Sequence, residues 1–390
     1  MTLFRKLFLC TLLALATAAA HAQEPSFFIE RIEVRGTRFT SADVVRRQSL
    51  LHEATTYTEP QLKEAIDRVN RLPFVIDADF ALEKGTQREQ YVLVIRINEA
   101  KPLFLDAVDN HFKQQNGDWH ESHSQRAGIR GFLGSTMLHA STGPHGVYQA
   151  GATQYDLFGT AAFASVGVQW TTRTFATLGG KVKNDPMWNA VVGVPIKGNH
   201  SIRATYARQR FTTIFANGFF TTTTKQTSQN ASLAWVYDST DDALFPTSGT
   251  IGRAGVQYES TNGVTETGGG FSLPRFTQTA GFADARHWWP FGESQTVMAG
   301  VGYSRSHSTS AGLNLINPDV DNYFATAGYS TSLWPRKHTV RIGDLRFETS
   351  ATASRAAVPP VTFYSANAGV AFRNPWALLH LTFTYTGQRQ

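Results

Sequence analysis

Cysteine is all but missing from this chain of 390 residues, and the one that occurs, Cys10, falls in an N-terminal stretch that reads as a leader. A mature chain without thiols has neither disulfide staples nor cysteine chemistry. Charge is scarce too, at 17% of residues. Past the leader no run of eighteen apolar residues occurs, which excludes a membrane-crossing helix there. The patterns of common enzyme classes are absent: no G-x-S-x-G, no H-E-x-x-H and no P-loop. The net charge of +6 comes from scattered Arg and Lys, with no basic stripe to suggest nucleic acid.

What the chain has instead is glycine (32), phenylalanine (27) and a two-residue alternation repeated along most of its length. Near the end, Tyr364, Ala366, Ala368, Val370 and Phe372 alternate with Ser365, Asn367, Gly369 and Ala371. After Arg373-Asn374-Pro375, the residues Ala377, Leu379, Leu381, Phe383 and Tyr385 alternate with Leu378, His380, Thr382 and Thr384. Strand side chains change face at every residue, so each segment has one apolar face and one small or polar face. So many such segments exceed what one soluble core needs. They fit a closed barrel with hydrocarbon outside and a polar lumen inside.

The expected fold class is therefore mainly β: a small α+β (βααββ) unit followed by a transmembrane antiparallel β-barrel. About 14 strands are expected, with about 12 and about 16 left open. Four segments follow. Residues 1–22 read as a secretory signal, with Arg5 and Lys6, an apolar run from Leu7 to Ala19, and Ala20-His21-Ala22. Residues 23–100 form the small unit, 101–125 a mostly polar connector, and 126–390 the barrel. Expected barrel strands include Ile129–Ala140, Phe175–Lys183, His338–Phe347 and Ala377–Thr386. Long loops are expected at Thr212–Thr227, His307–Asn322 and Ser350–Pro360.

In the small unit, Ile32 and Val34 face inward on a first strand. Thr40 or Ser41 caps a helix carrying Val44 and Val45. Thr58-Glu59-Pro60-Gln61 is a capping box with proline in the first turn. The helix it starts carries Leu62, Ala65, Ile66 and Val69 as one apolar stripe, and Pro73 stops it. Two alternating strands complete the unit, one through Ala78, Phe80 and Leu82, the other through Tyr91, Leu93, Ile95 and Ile97.

Ile32-Glu33-Val34-Arg35-Gly36-Thr37-Arg38-Phe39, followed by two helices and two strands, resembles a POTRA domain, the periplasmic module of the BamA/TamA outer-membrane assembly superfamily. The resemblance continues in the barrel half. Tyr237 to Thr250 is similar to that superfamily's F-P-T-x-G turn, carried by Asp241, Phe245, Pro246, Thr247 and Gly249. Proline fixes φ there, and glycine admits a positive φ. Tyr155-Asp156-Leu157-Phe158-Gly159-Thr160 resembles its early L-F-G-T turn, and Ala368 to Ala377 its late hairpin. The chain departs from the family in lacking a V-R-G-F/Y motif within His307–Asn322. Ile129-Arg130-Gly131-Phe132 matches only in letters, and Val340-Arg341-Ile342-Gly343 only poorly. The final residues, Gly387-Gln388-Arg389-Gln390, lack the aromatic common at the end of outer-membrane strands.

The resemblance implies a fold, a place and a task. The middle strand of the POTRA-like unit, Ile76, Asp77, Ala78, Asp79, Phe80, Ala81 and Leu82, would lie at a sheet edge and accept an extended client by strand addition. The alternative is an edge that stays unpaired, guarded by Asp77, Asp79 and Glu83. First and last barrel strands, marked by Ile129, Gly131, Leu379, Leu381 and Phe383, would form a weak seam. The implied function is insertion or translocation of polypeptides at the outer membrane of a Gram-negative bacterium, with the POTRA-like unit in the periplasm. Partners would be outer-membrane lipid, unfolded or extended client polypeptides and accessory periplasmic proteins, without nucleic acid. No covalent chemistry, cofactor or metal is implied. A passive pore for small solutes, with the POTRA-like unit as a tether, is the second expectation.

Two groupings invite a chemical reading. His111 with His120-Glu121-Ser122-His123 could be drawn as a metal site, but the spacing matches no strong zinc pattern, and solvated linker histidines are the plainer reading. Ser304-Arg305-Ser306-His307 and Arg286-His287 place serines and histidines on neighbouring strands, as a hydrolase would need, yet any polar lumen is rich in hydroxyls.

Overall fold

The computed structural model describes residues 25–113, 119–171, 175–177, 180–184, 186–216, 221–266, 271–310, 319–333, 344–357 and 361–389. The expected signal, 1–22, lies outside them, as do residues 340–343.

The N-terminal unit starts with β1 (Ser26–Arg35) and leaves it through Gly36 at φ +99, where a Cβ would sit 2.1 Å from the Ile97 carbonyl oxygen. Only glycine fits that turn. Ser41 caps α1 (Ala42–Ser49), its hydroxyl accepting from the Asp43 N–H at 3.3 Å. A short strand that periodicity did not suggest follows, β2 (Thr55–Thr58), paired antiparallel with β1. Its sequence, Thr-Thr-Tyr-Thr, is β-branched and aromatic, which suits a pleated edge. The Thr58 N–H donates to Gln61 Oε1 at 2.9 Å at the start of α2 (Glu59–Asn70), and α2 buries Leu62, Ala65, Ile66 and Val69.

Two strands, β3 (Val75–Lys84) and β4 (Gln90–Glu99), complete a sheet in the order β2-β1-β4-β3. β1 and β4 run parallel, while β3 runs antiparallel to β4 at the edge. Ile29, Val44, Val45, Leu62, Val69, Phe74, Leu93 and Ile95 are fully buried in one cluster between helices and sheet. Each contributes about 1.5–3 kcal/mol relative to exposure, enough together to hold a small core.

The second unit is a ring of fifteen strands. It comprises β5 (Leu103–Lys113), β6 (Trp119–Phe132), β7 (Thr136–Gly143), β8 (Val147–Gln154) and β9 (Phe163–Thr171). A small hairpin, β10 (Phe175–Thr177) and β11 (Gly180–Asn184), stands outside the ring, β11 leaning on the far half of β13. The ring resumes with β12 (Met187–Lys197), β13 (His200–Ala216), β14 (Thr221–Asp238), β15 (Gly249–Glu266) and β16 (Phe271–Phe291). It ends with β17 (Gln295–Ser310), β18 (Val320–Ser332), β19 (Asp344–Ala356), β20 (Val361–Arg373) and β21 (Ala377–Arg389). Every neighbour in the ring is antiparallel except at closure, where β21 and β5 run parallel from Ala377↔Leu105 to Tyr385↔Lys113. An odd number of up-and-down strands forces that parallel pair.

Fifteen replaces the expected fourteen for three reasons. Residues read as a polar connector supply β5 and the first half of β6. The single strand expected at Ile129–Ala140 is two, split by a turn with Gly131 at φ +68 and Gly134 at φ +81. The segment Phe175–Lys183 gives only the small hairpin. Two expected loops are largely strand as well, because β13 reaches Ala216, β14 starts at Thr221, and β19 runs to Ala356. Threonine and serine crowd these stretches, so the apolar alternation fades, but β-branched threonine still favours the extended ladder.

Strand lengths are uneven. β14 and β15 have 18 residues each and β16 has 21, against 8 each in β7 and β8. Outer-face residues are apolar and open: Val166, Leu233, Val256, Val301, Leu379 and Phe383 are all exposed, Val301 at 63%. Leu378, His380, Thr382 and Thr384 point the other way, into the lumen. A soluble monomer rarely exposes a contiguous apolar belt of this extent. Among the described residues no helix is long and apolar enough to cross a membrane.

Candidate functional site

Three features meet where the N-terminal unit abuts the barrel: the start of the edge strand β3, the turn between β14 and β15, and the base of the parallel closure.

The expected docking strand, Ile76 to Leu82, lies in β3, and β3 is the outermost strand on its side of the sheet. Part of that edge is already occupied. The Asn70 side chain, at the end of α2, takes both backbone groups of Ala78: Oδ1 accepts from the Ala78 N–H at 2.6 Å, and Nδ2 donates to its carbonyl at 3.4 Å. In an antiparallel ladder, both backbone groups of one residue point to the same side. At Ala78 the amide therefore fills the place of a partner strand. Beyond it, Phe80 and Leu82 turn their side chains onto the core. Charges frame this stretch: Asp79 lies 3.6 Å from Arg96, and Glu83 accepts from Arg35 at 2.7 Å. The Arg35 hydrogen bond lowers the Glu83 pKa.

The turn at residues 239–248 holds the expected family residues together. Asp241 Oδ1 accepts from the Thr247 N–H at 2.8 Å and the Ser248 N–H at 3.1 Å, and Asp241 Oδ2 accepts from the Thr247 hydroxyl. Gly249 sits at φ +103, where a Cβ would lie 2.2 Å from the Ser239 carbonyl oxygen. The spacing of aspartate, threonine and glycine is thus a self-capped turn. Its tip goes inward. Asp242 Oδ1 caps the Leu244 and Phe245 N–H groups at 2.8 and 2.9 Å, and Arg373 from β20 grips both Asp242 oxygens at 3.0 and 2.7 Å. Two guanidiniums lie over the Phe245 ring, Arg346 at 5.1 Å and Arg373 at 4.9 Å from its centre. Arg346 is itself held by Asp344 at 3.0 Å. Sequence reasoning gave neither arginine a role: Arg346 lies 101 residues from Phe245, and Arg373, inside the late hairpin, lies 131 residues from Asp242.

At the closure, Leu379, Leu381 and Phe383 lie on β21 as expected, but their neighbour is β5, not the strand of Ile129 and Gly131. That strand is β6, one place further round. Asp106 on β5 pins the base: Oδ1 accepts from the Leu378 N–H on β21 at 3.1 Å, and Oδ2 accepts from Arg126 at 2.6 Å. Two further bonds tie the same corner, Lys101 N–H to the Pro375 carbonyl at 3.0 Å and Leu105 N–H to the Trp376 carbonyl at 2.9 Å.

The N-terminal unit is seated on these turns. Arg71 donates to the Thr240 carbonyl at 2.5 Å and to Asn199 Oδ1 at 3.0 Å. Burial lowers its pKa, with Asp238 opposing. Tyr155, in the early family-like turn, meets Phe74 edge-on at 5.7 Å between ring centres, and burial pushes its hydroxyl up to about 12. Arg47 pairs with Asp156 in the same turn. A cavity of about 390 Å³ lies at the junction, and it touches all three features: Ile76 and Asp77 of β3, Asp241 to Leu244 of the turn, and Phe104, Asp106 and Leu378 of the closure. A second cavity, about 360 Å³, lies in the lumen beyond the turn, bordered by Phe245, Pro246, Glu348, Asn367 and His380.

The histidines read as linker residues are strand residues. His111 and His123 lie across β5 and β6 beside Asp109 and Glu121, with His123 Nδ1 2.9 Å from Asp109 Oδ1 and His111 stacked on Phe383 at 5.2 Å. Among the described residues no group of three or more His, Cys, Asp or Glu side chains is arranged to hold a metal ion. The serines and histidine of Ser304-Arg305-Ser306-His307 separate: Ser304 and Ser306 alternate to one face of β17, while His307 turns to Asp319 at 2.7 Å on the other. His287 meets the Thr250 hydroxyl at 2.6 Å instead.

No family model matches the sequence, and no curated protein matches it. Solved structures do. BamA from Haemophilus ducreyi, in a form lacking POTRA domains 1-3, is 12% identical over 92% of this chain and 81% of that one, with a TM-score of 0.46. CdiB from Acinetobacter baumannii is 10% identical over 88% of this chain, with a TM-score of 0.50. This chain spans 63% of that CdiB, less than two thirds of its length. At such identity the likeness is one of fold.

Proposed function

We propose that the chain is an outer-membrane barrel that inserts or translocates polypeptides, with residues 23–100 acting as a periplasmic POTRA-like unit. The fold likeness to CdiB supports a barrel of this type. The observation that carries the task is one cavity joining the start of the edge strand β3, the inward turn and the base of the parallel closure. An extended client adds to β3 beyond Ala78, where backbone groups lie open to pairing. The start of the same strand lines the cavity, which leads on to the closure and the turn. Lipid covers the apolar belt, since each unpaired backbone group in hydrocarbon costs several kcal/mol and only a closed ring avoids that. No bond is made or broken, and the work is strand exchange. Accessory periplasmic proteins would bring clients to the β3 edge.

The seam fits this reading. Parallel pairing is slightly less stable per residue than antiparallel pairing, and the ring has one such pair. The test is a disulfide across it. Leu105 and Ala377 are register partners, so Leu105→Cys with Ala377→Cys can close the seam in a chain that has no other cysteine past the leader. In proteoliposomes the reduced double variant should speed insertion of an unfolded outer-membrane protein, and the oxidised form should not. If neither form, nor the wild type, speeds insertion or passage of any exported polypeptide, the proposal fails.

A further inference from the structure

The turn at 239–248 is longer than its job of reversing the chain requires. Antiparallel strands can be joined by two residues, and β12 and β13 are joined by Gly198 and Asn199 alone at the same end of the barrel. Between β14 and β15 there are ten. The surplus is not spent on solvent. Thr240 is fully buried, Asp242 and Phe245 are each 5% exposed, and the groups that hold Asp242 and Phe245 belong to β19 and β20, four and five strands beyond β15 in the ring. Arg346 donates to the Phe245 carbonyl at 3.3 Å, and Arg373 makes the two-pronged contact to Asp242. The tip thus reaches across the inside of the ring to strands that are not its neighbours. One cavity lies on its near side and one on its far side, and Leu244 borders both.

From this placement we infer that the Asp241–Pro246 segment is a reversible plug that shuts the lumen at the end facing the POTRA-like unit. Its grip is made for release. A plug seated by apolar burial would lose contact area on leaving. Here the buried Phe245 ring is an apolar anchor, but the rest of the grip is a carboxylate–guanidinium fork and two cations over that ring, and these contacts exchange for water. The self-capped part of the turn, Asp241 with Thr247 and Ser248, stays intact when the tip swings, so Asp242, Ala243, Leu244 and Phe245 move as one piece. The N-terminal unit touches the root of this lever, because Arg71 donates to the Thr240 carbonyl. Arg71 follows α2, whose last residue, Asn70, holds the β3 edge. Occupation of that edge would therefore be felt at the plug, a coupling that rests on the proposed client reading.

Conductance tests the plug without any client. The full chain in a planar bilayer should pass little current, whereas Asp242→Ala, Arg373→Ala and a variant with residues 242–246 replaced by two glycines should each raise the conductance several-fold. Arg373→Lys, which keeps a cation on Asp242 and leaves its caps on the Leu244 and Phe245 N–H groups intact, should stay near the wild-type level. A heat-dependent shift in gel mobility identifies the variants that remain folded barrels. If folded variants conduct as the wild type does, or if the wild type already conducts as they do, the segment is no plug. An insertion assay that fails while the conductance series holds would overturn the proposed function and leave the plug standing.

Discussion

Asn70 and Ala78 face each other as a strand and its partner would, with one side-chain amide taking both the N–H and the carbonyl of a single edge residue. The helix before β3 thereby shortens the edge that β3 offers.

Removing the amide should lengthen it. Asn70→Ala leaves two edge groups without a protein partner and should lower stability by about 1–2 kcal/mol. A photo-crosslinking residue at Ala78 should then capture an extended peptide that it misses in the wild type, while capture at Phe80 stays as it was. Equal capture at Ala78 in both proteins would show that the amide guards nothing.

Asp106 should matter more than one buried carboxylate usually does, because it serves both sides of the closure. Asp106→Ala frees the Leu378 N–H and strips Arg126 of its partner, a loss of about 1.5–3 kcal/mol for hydrogen bonds to a charged group. Hydrogen exchange at Leu378 and its neighbours on β21 should quicken, while β14 to β16 keep their protection.

Gly249→Ala should unmake the self-capped turn. At φ +103, with the Ser239 carbonyl oxygen 2.2 Å from the added carbon, the backbone cannot stay where it is. The expected destabilisation is at least about 1–3 kcal/mol, read as a lower unfolding temperature of the detergent-solubilised barrel. Gly281→Ala, where no atom lies within 4 Å of the new carbon, is the control and should change little.

The seating of the N-terminal unit should depend on the ring of Tyr155 and not on its hydroxyl. Tyr155→Ala removes the contact with Phe74 and should cost about 3–5 kcal/mol, as large aromatic truncations do, whereas Tyr155→Phe should be close to neutral. Limited proteolysis after residue 100 reads the difference.

Acidity should favour α2. Burial raises the Asp67 pKa from the ordinary carboxylate value, with Lys63 at 3.2 Å opposing. A raised folded-state value means the folded unit binds the proton more tightly than the unfolded chain. The stabilisation is thus fully present below the unfolded value and lost as pH rises through the folded one. Asp67→Asn should remove this dependence and stabilise the unit at neutral pH by less than about 1 kcal/mol, given its partial exposure to solvent. Melting curves of both proteins at acid and neutral pH check the sign.

How far the sequence could be read depended on which force wrote each part. Leu62, Ala65, Ile66 and Val69 face one core, so their spacing announces the helix, and Leu379, Leu381 and Phe383 announce a strand in the same way. β5 and the first half of β6 escaped because Asp109, His111, Glu121 and His123 occupy outer positions that are apolar elsewhere, which erases the alternation. The base of the barrel was half legible. Asp241, Thr247 and Gly249 satisfy one another locally, and local chemistry leaves a local pattern. Arg346 and Arg373 act across the ring, and nothing in their own neighbourhood says so.

The unequal strands have a consequence of their own. With β14, β15 and β16 at 18 to 21 residues and β7 and β8 at 8, the mouth away from the N-terminal unit is a parapet on one flank and a doorstep on the other. The low flank stands directly beside the β5–β6 hairpin that carries His111 and His123, so anything passing over that rim would meet the tall flank as a backstop.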